Sequence, residues 1–224
     1  MPRPYPRAVS DGFDATLLLW LNLVGTFVFG LSGGLAAVRA RLDAFGVVVL
    51  AGVVGLSGGI LRDLLIGAPP ATFSDWRYLV AVGAAGAVCF FAAPAVERLS
   101  PGVLFLDAIG LAVFCVTGAS KAIDYGLGPA QAVLLGAITG IGGGMLRDVL
   151  LGEVPTVLRQ ELYAIPALAG AAVVAVASVA GSDSAVFTLM GAVVCFAMRL
   201  AGLRYGLQAP LPPSRLDDEP PPGR

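Results

Sequence analysis

Two Arg-Asp dipeptides, Arg62-Asp63 and Arg147-Asp148, interrupt long apolar stretches, and each follows a pair of adjacent glycines, Gly58-Gly59 and Gly143-Gly144. A charge near the centre of a bilayer costs at least about 2.5–3.5 kcal/mol on insertion scales, so such pairs need partners or water. Two arrangements meet that need. Arg62 can pair with Asp148 and Arg147 with Asp63 across a symmetry axis, or each pair can lie near a helix end and snorkel to the interface. The glycines also admit two readings. Each weakens a helix by about 0.8–1.0 kcal/mol relative to alanine, which favours a kink that turns carbonyl oxygens toward a wet cavity. Small-xxx-small spacing (Gly55/Gly59, Gly140/Gly144) instead suits close packing of helices. Ser32, Ser57 and Thr117 supply neutral hydroxyls nearby, and Lys121 an unmatched cation that either regulates ion flow or anchors its helix. Asn22 and Asp107 fall one turn into their apolar runs, where each can line a vestibule or cap a helix.

The composition excludes much other chemistry. The chain has 224 residues, 57% hydrophobic and only 13% charged, with a mean hydropathy of +0.86. An average soluble domain carries about 25% charged residues. The absence of histidine removes His-based acid–base catalysis, His metal ligands and Ser-His-Asp triads. The segment GLSGG, at 30–34 and 55–59, matches a nucleophile elbow in form, yet nothing is there to activate Ser32 or Ser57. Cys89, Cys115 and Cys195 lie in apolar runs without metal-ligand spacing, so no metal site and no cofactor are expected. A net charge of −1 with no basic stripe argues against nucleic acid as a partner.

The elements that position these residues are membrane helices. A span needs about 20 apolar residues, and seven runs qualify: 16–38, 44–66, 77–95, 103–123, 129–151, 162–181 and 185–205. The polar residues 1–15 precede them, and a proline-rich stretch, 206–224, follows as an expected disordered tail. Short-loop arginines divide unevenly, with Arg3, Arg7 and Arg77 on one side and Arg39, Arg41, Arg98, Arg159, Arg199, Arg204, Arg215 and Arg224 on the other. By the positive-inside rule the N-terminus is outside and the C-terminus cytoplasmic, in the cell's inner (plasma) membrane.

The chain repeats itself. GLSGGILRDLLIGAPP (55–70) aligns without gaps on GIGGGMLRDVLLGEVP (140–155), which places Arg62 on Arg147 and Asp63 on Asp148. The same offset pairs Asn22 with Asp107, Ser32 with Thr117 and Tyr78 with Tyr163, whereas Lys121 falls on Ala36. Each unit holds three spans, an odd number, so the second copy crosses the membrane in the opposite sense. The predicted architecture is an all-α membrane protein of seven transmembrane helices. It comprises a first three-helix repeat (16–95), an inverted second repeat (101–181) and a seventh helix (185–205), with helices two and five kinked at their glycines.

The paired GGxxRD segments, each followed by proline, and the stretch from Asp107 to Lys121 resemble the prokaryotic relatives of trimeric intracellular cation (TRIC) channels, whose duplicated domain is also called a glycine-transporter domain. The resemblance spans about 16–205 and implies a homotrimer in the lipid bilayer, each protomer carrying its own pore for K⁺ and Na⁺. The Lys-Glu-Val lipid-binding triplet of animal members is missing here. The expected function is a monovalent cation channel in which carboxylates neutralise Arg62 and Arg147 while backbone carbonyls and hydroxyls conduct. A secondary transporter of glycine or another small solute shares the inverted repeat. A membrane-embedded enzyme lacks converging nucleophile and base, and a passive structural subunit leaves the buried pairs unexplained.

Overall fold

The computed structural model describes residues 12–92, 102–159, 163–182 and 185–207. The greater part of the polar N-terminal stretch and nearly all of the expected tail lie outside these residues. Everything described is helix and connection: α1 Gly12–Arg39, α2 Ala44–Leu65, α3 Ala71–Ser74, α4 Arg77–Phe91, α5 Gly102–Asp124, α6 Pro129–Leu150, α7 Thr156–Arg159, α8 Ala164–Val179 and α9 Ala185–Tyr205. By length and composition α1, α2, α5, α6 and α9 can each cross a membrane, while α4 and α8 are shorter apolar helices. This is an all-helical membrane protein.

The repeat is written into the element boundaries. The offset that carries Arg62 onto Arg147 also carries the bounds of α2 onto those of α6, and α3 onto α7. The helix ends match in detail as well. Beyond α2, the Ala68 N–H donates to the Asp63 carbonyl (2.8 Å) and Gly67, at φ +71°, donates to Leu64 (3.1 Å); beyond α6, Glu153 donates to Asp148 (2.9 Å) and Gly152, at φ +73°, to Val149 (3.0 Å). These are two copies of a Schellman stop, which needs a left-handed residue and finds glycine there. The starts differ: Asp43 caps α2 by accepting from the Gly46 N–H at 2.7 Å, while α6 opens on Pro129.

Each half packs in the same way, α1 against α2 and α4, and α5 against α6 and α8. The halves then meet through α1 on α5 and α2 on α6, with α9 laid against α5 and α8. These cross-contacts are reciprocal. A Cβ on Gly58 would strike the carbonyl of Thr139, and one on Gly143 would come within 2.5 Å of the carbonyl of Val54. The repeat pairs Gly58 with Gly143 and Val54 with Thr139, so each contact is the image of the other. Gly25 sits on Phe114 and Gly110 on Phe29 in the same way, and the Phe29 and Phe114 rings lie 5.3 Å apart. Contacts that exchange i for j define a two-fold relation.

Neither α2 nor α6 is interrupted at its glycines. The crossing itself accounts for glycines inside continuous helices. The glycines let two backbones approach to contact distance, and that packing offsets their low helix propensity. One correction concerns Arg199, which the orientation count placed among loop arginines but which is fully buried within α9. At the α3–α4 corner Asp75 accepts from the Arg77 guanidinium, whose hydrogen bonds hold that carboxyl below its ordinary range. The pair is solvent-facing and contributes little to stability.

The crossing yields a test. Gly58→Ala and Gly143→Ala each overfill it and should destabilise the protein by about 1–3 kcal/mol. Gly52→Ala and Gly83→Ala, which meet nothing within 4 Å, should be neutral or stabilising. Thermal unfolding in detergent separates the two classes.

Candidate functional site

Arg62 and Asp63 lie in the last turn of α2, and Arg147 and Asp148 in the last turn of α6, where a positive charge also complements the helix dipole. They do not snorkel. Arg62 is 2% exposed and Arg147 4%. Nor do they pair crosswise as one sequence reading suggested. The Arg62 Nε donates to its own neighbour Asp63 at 2.8 Å, and the Arg147 Nη2 to Asp148 at 2.8 Å. Cross-axis pairing fails because each aspartate has a second duty at its own helix end. The Asp63 Oδ2 accepts the Ala71 N–H at 2.9 Å, and the Asp148 Oδ2 accepts the N–H and hydroxyl of Thr156 at 2.8 and 2.9 Å. Each carboxylate therefore ties a one-turn helix, α3 or α7, back onto the end of the long helix before it.

The contacts between halves come from other side chains. Lys121 on α5 donates to the Asp63 Oδ1 at 2.7 Å. Ser32 on α1 accepts from the Arg147 Nη1 at 2.9 Å. The same Nη1 reaches Asp107 at 2.8 Å, and its counterpart, the Arg62 Nη1, reaches the Asn22 amide oxygen at 3.1 Å. Asn22 and Asp107 thus occupy equivalent positions as partners of the two arginines. Of the other expected site residues, Thr117 is buried with its hydroxyl 3.5 Å from the Phe114 carbonyl of its own helix. Ser57 has a buried hydroxyl without a partner among the described residues. Gly58, Gly143 and Gly144 are buried, and Gly59 is half-buried.

The two corners differ in what surrounds them. Around Arg147 the space is filled. Tyr163 and Asp107 both press on Gly144, where a Cβ would lie 2.7 Å from the tyrosine hydroxyl and 3.0 Å from the Asp107 Oδ1. The buried Arg199 guanidinium lies 4.6 Å over the Tyr163 ring. Around Arg62 a recess of about 240 Å³, counted with its open mouth, is lined by Asn22, Thr26, Arg62, Thr72, Tyr78 and Phe114 among others. Sequence reasoning gave no role to Tyr163 and Tyr78, although the repeat had paired them. It missed Arg199, whose signal was a lone arginine inside the seventh apolar run.

Removing one partner of a buried ion pair strands the other, at a cost of about 3–5 kcal/mol. Asp148→Ala should therefore sharply lower folded yield, and so should Arg147→Met, which strands Asp107 and Asp148 together; Arg147→Met combined with Asp107→Asn and Asp148→Asn should recover part of the loss. Size-exclusion profiles of the variants report the outcome.

A family model described as glycine transporter matches residues 19–94 and 104–179, the two repeats. A UPF0126 membrane protein of Streptomyces coelicolor is 52% identical over 198 residues, 88% of this chain and 91% of that protein. The UPF0126 inner membrane protein YadS of Escherichia coli is 40% identical over 197 residues, 87% of this chain and 95% of its own length. Among solved structures, the TRIC trimeric intracellular cation channel orthologue from Rhodobacter sphaeroides superposes with a TM-score of 0.82 at 37% identity, covering 86% of this chain and all of that one. A prokaryotic TRIC channel crystallised in 0.5 M KCl gives 0.81 at 32% identity, over 85% of this chain and 98% of its own. The two matched structures are cation channels, not enzymes, and with both repeats matched the chain belongs to the glycine-transporter-domain family that includes the prokaryotic TRIC cation channels.

Proposed function

We propose that the protein is a monovalent cation channel for K⁺ and Na⁺, with one conduction path inside each protomer of a homotrimer. The single observation that carries the reading is its likeness to a TRIC channel over that channel's entire length. The buried arginines are compatible with it, because Arg62 and Arg147 are each paired with carboxylate and so present no bare positive barrier. The seven apolar helices cross as two inverted triples plus one, with the N-terminus outside and the C-terminus cytoplasmic, in the plasma membrane.

Ions pass the α2–α6 crossing when both helices bend at Gly58-Gly59 and Gly143-Gly144. That movement frees carbonyl oxygens and brings the hydroxyls of Ser32, Ser57 and Thr117 to the path. Asn22 and Asp107 form its two vestibules, and Lys121, held on Asp63, stands beside it. No cofactor takes part.

Transport of glycine or another small solute is the second reading, and the unequal corners favour it. One is open as a recess and the other filled, as in a carrier caught facing one side. Planar-bilayer recording under a KCl gradient separates the two. The channel gives unitary currents that reverse near the K⁺ equilibrium potential; a carrier gives substrate counterflow in liposomes without unitary events, which would overturn the channel reading. Arg62→Ala should lower folded yield far more than it changes cation-over-anion preference. A reversed preference at full yield would contradict the structural role of Arg62.

A further inference from the structure

The repeat supplies an internal control for one side chain. Tyr78 and Tyr163 are equivalent residues at the starts of α4 and α8. Their surroundings differ. Tyr163 is driven into its corner, so that a Cβ on Gly144 would lie 2.7 Å from the tyrosine hydroxyl and 3.0 Å from the Asp107 Oδ1. Tyr78 stands instead at the wall of the water-sized recess beside Arg62 and Asp63. There a Cβ on Gly59 would meet only the Arg62 Nη2, at 3.9 Å.

Two neighbours distinguish the copies: Asp107 replaces Asn22, and Arg199 on α9 has no counterpart. The tyrosine hydroxyl does not hold the ring in place, because it makes no hydrogen bond to another described residue and does not cap α8. The Arg199 guanidinium does lie against it, fully buried and 4.6 Å over the ring. Such an attraction is strongest where both groups are out of water. The fastening of α9 delivers it there. A Cβ on Gly170 of α8 would come within 2.7 Å of the Gly191 carbonyl of α9, and one on Gly191 within 2.5 Å of the Gly170 carbonyl. A short turn joins the two helices, so they run antiparallel. Tyr163 precedes Gly170, and Arg199 follows Gly191, by about two helical turns each. The first repeat has Ala85 where α8 has Gly170, and its α4 packs on α1 and α2.

Contacts run on from the ring to Asp107 on α5, from Asp107 to Arg147 on α6 at 2.8 Å, and from Arg147 to Ser32 on α1 at 2.9 Å. We propose that Arg199 is a positioning residue: its guanidinium pins the Tyr163 ring across Asp107 and Gly144, and in this way the seventh helix keeps the Arg147 corner closed to water. The lock rests on contacts within the protein; only its effect on ion passage rests on taking Asp107 as a vestibule.

The test is hydroxyl-radical footprinting of the full-length protein in liposomes, read residue by residue by mass spectrometry, with each rate scaled to that of the unfolded chain. In the wild type Tyr163 should react far more slowly than Tyr78. Arg199→Met keeps the length of the side chain without its charge; it should raise the rate at Tyr163 severalfold, toward that of Tyr78, and leave Tyr78 unchanged. Arg199→Lys returns a cation and should restore part of the protection, which a merely space-filling role would not do. Tyr163→Phe leaves the ring under the guanidinium, so the ring at 163 should stay protected; this variant carries the test if Arg199→Met does not fold. Equal rates at Tyr163 and Tyr78 in the wild type, full protection in Arg199→Met, lysine protecting no better than methionine, or an exposed ring in Tyr163→Phe would each overturn the proposal. K⁺ efflux from the same liposomes should rise in Arg199→Met. Wild-type efflux through an opened corner would leave the lock standing and take this corner off the conduction path, so the two readings fail separately.

Discussion

A guanidinium removed from water must be neutralised by the protein that buries it, and this chain buries two at equivalent helix ends. Much of the local architecture follows from that demand. Arg62 and Arg147 each fold back on the adjacent aspartate, and the aspartate uses its second oxygen to capture the backbone of the next one-turn helix. The glycine stop after each long helix turns the chain so that this capture is possible. One interaction thus ends a helix, fixes the following loop and removes a charge from the apolar interior.

The same residues bind the halves together without full symmetry. The helix crossings obey a two-fold relation down to individual glycine–carbonyl contacts. The polar contacts do not. Lys121 has alanine as its counterpart, Asp107 has asparagine, and Arg199 sits on α9, outside the two triples. A symmetric scaffold carrying unequal side chains has two corners of different character, one with a recess beside Arg62 and Asp63, the other closed by an aromatic ring under an arginine.

The large-scale plan was legible in the residues because hydropathy and self-similarity are carried by many positions at once. The repeat offset, found from the glycine and Arg-Asp pattern, reappears in the bounds of α2 and α6 and in the glycine stops that follow them. Local pairing was less legible. Neighbours along a helix do not normally face each other, so crosswise pairing was reasonable; it failed because a long arginine side chain in a last turn can curl onto the next residue. Lys121 to Asp63 joins side chains 58 positions apart, which no local pattern reveals. The glycines were ambiguous in sequence because low helix propensity and close packing call for the same residue. The close approach of Gly58 and Gly143 to the Thr139 and Val54 carbonyls shows the packing use, which only the folded contacts reveal.

The central claim is that the buried arginines are held by specific carboxylates rather than by water. A double-mutant cycle on Arg147 and Asp107, using Arg147→Met, Asp107→Asn and the double variant, tests it directly through unfolding free energies. With the two groups 2.8 Å apart and buried, the account predicts a coupling of at least about 1 kcal/mol. Effects that add to within about 0.5 kcal/mol would mean that the two groups do not depend on each other, and would contradict it.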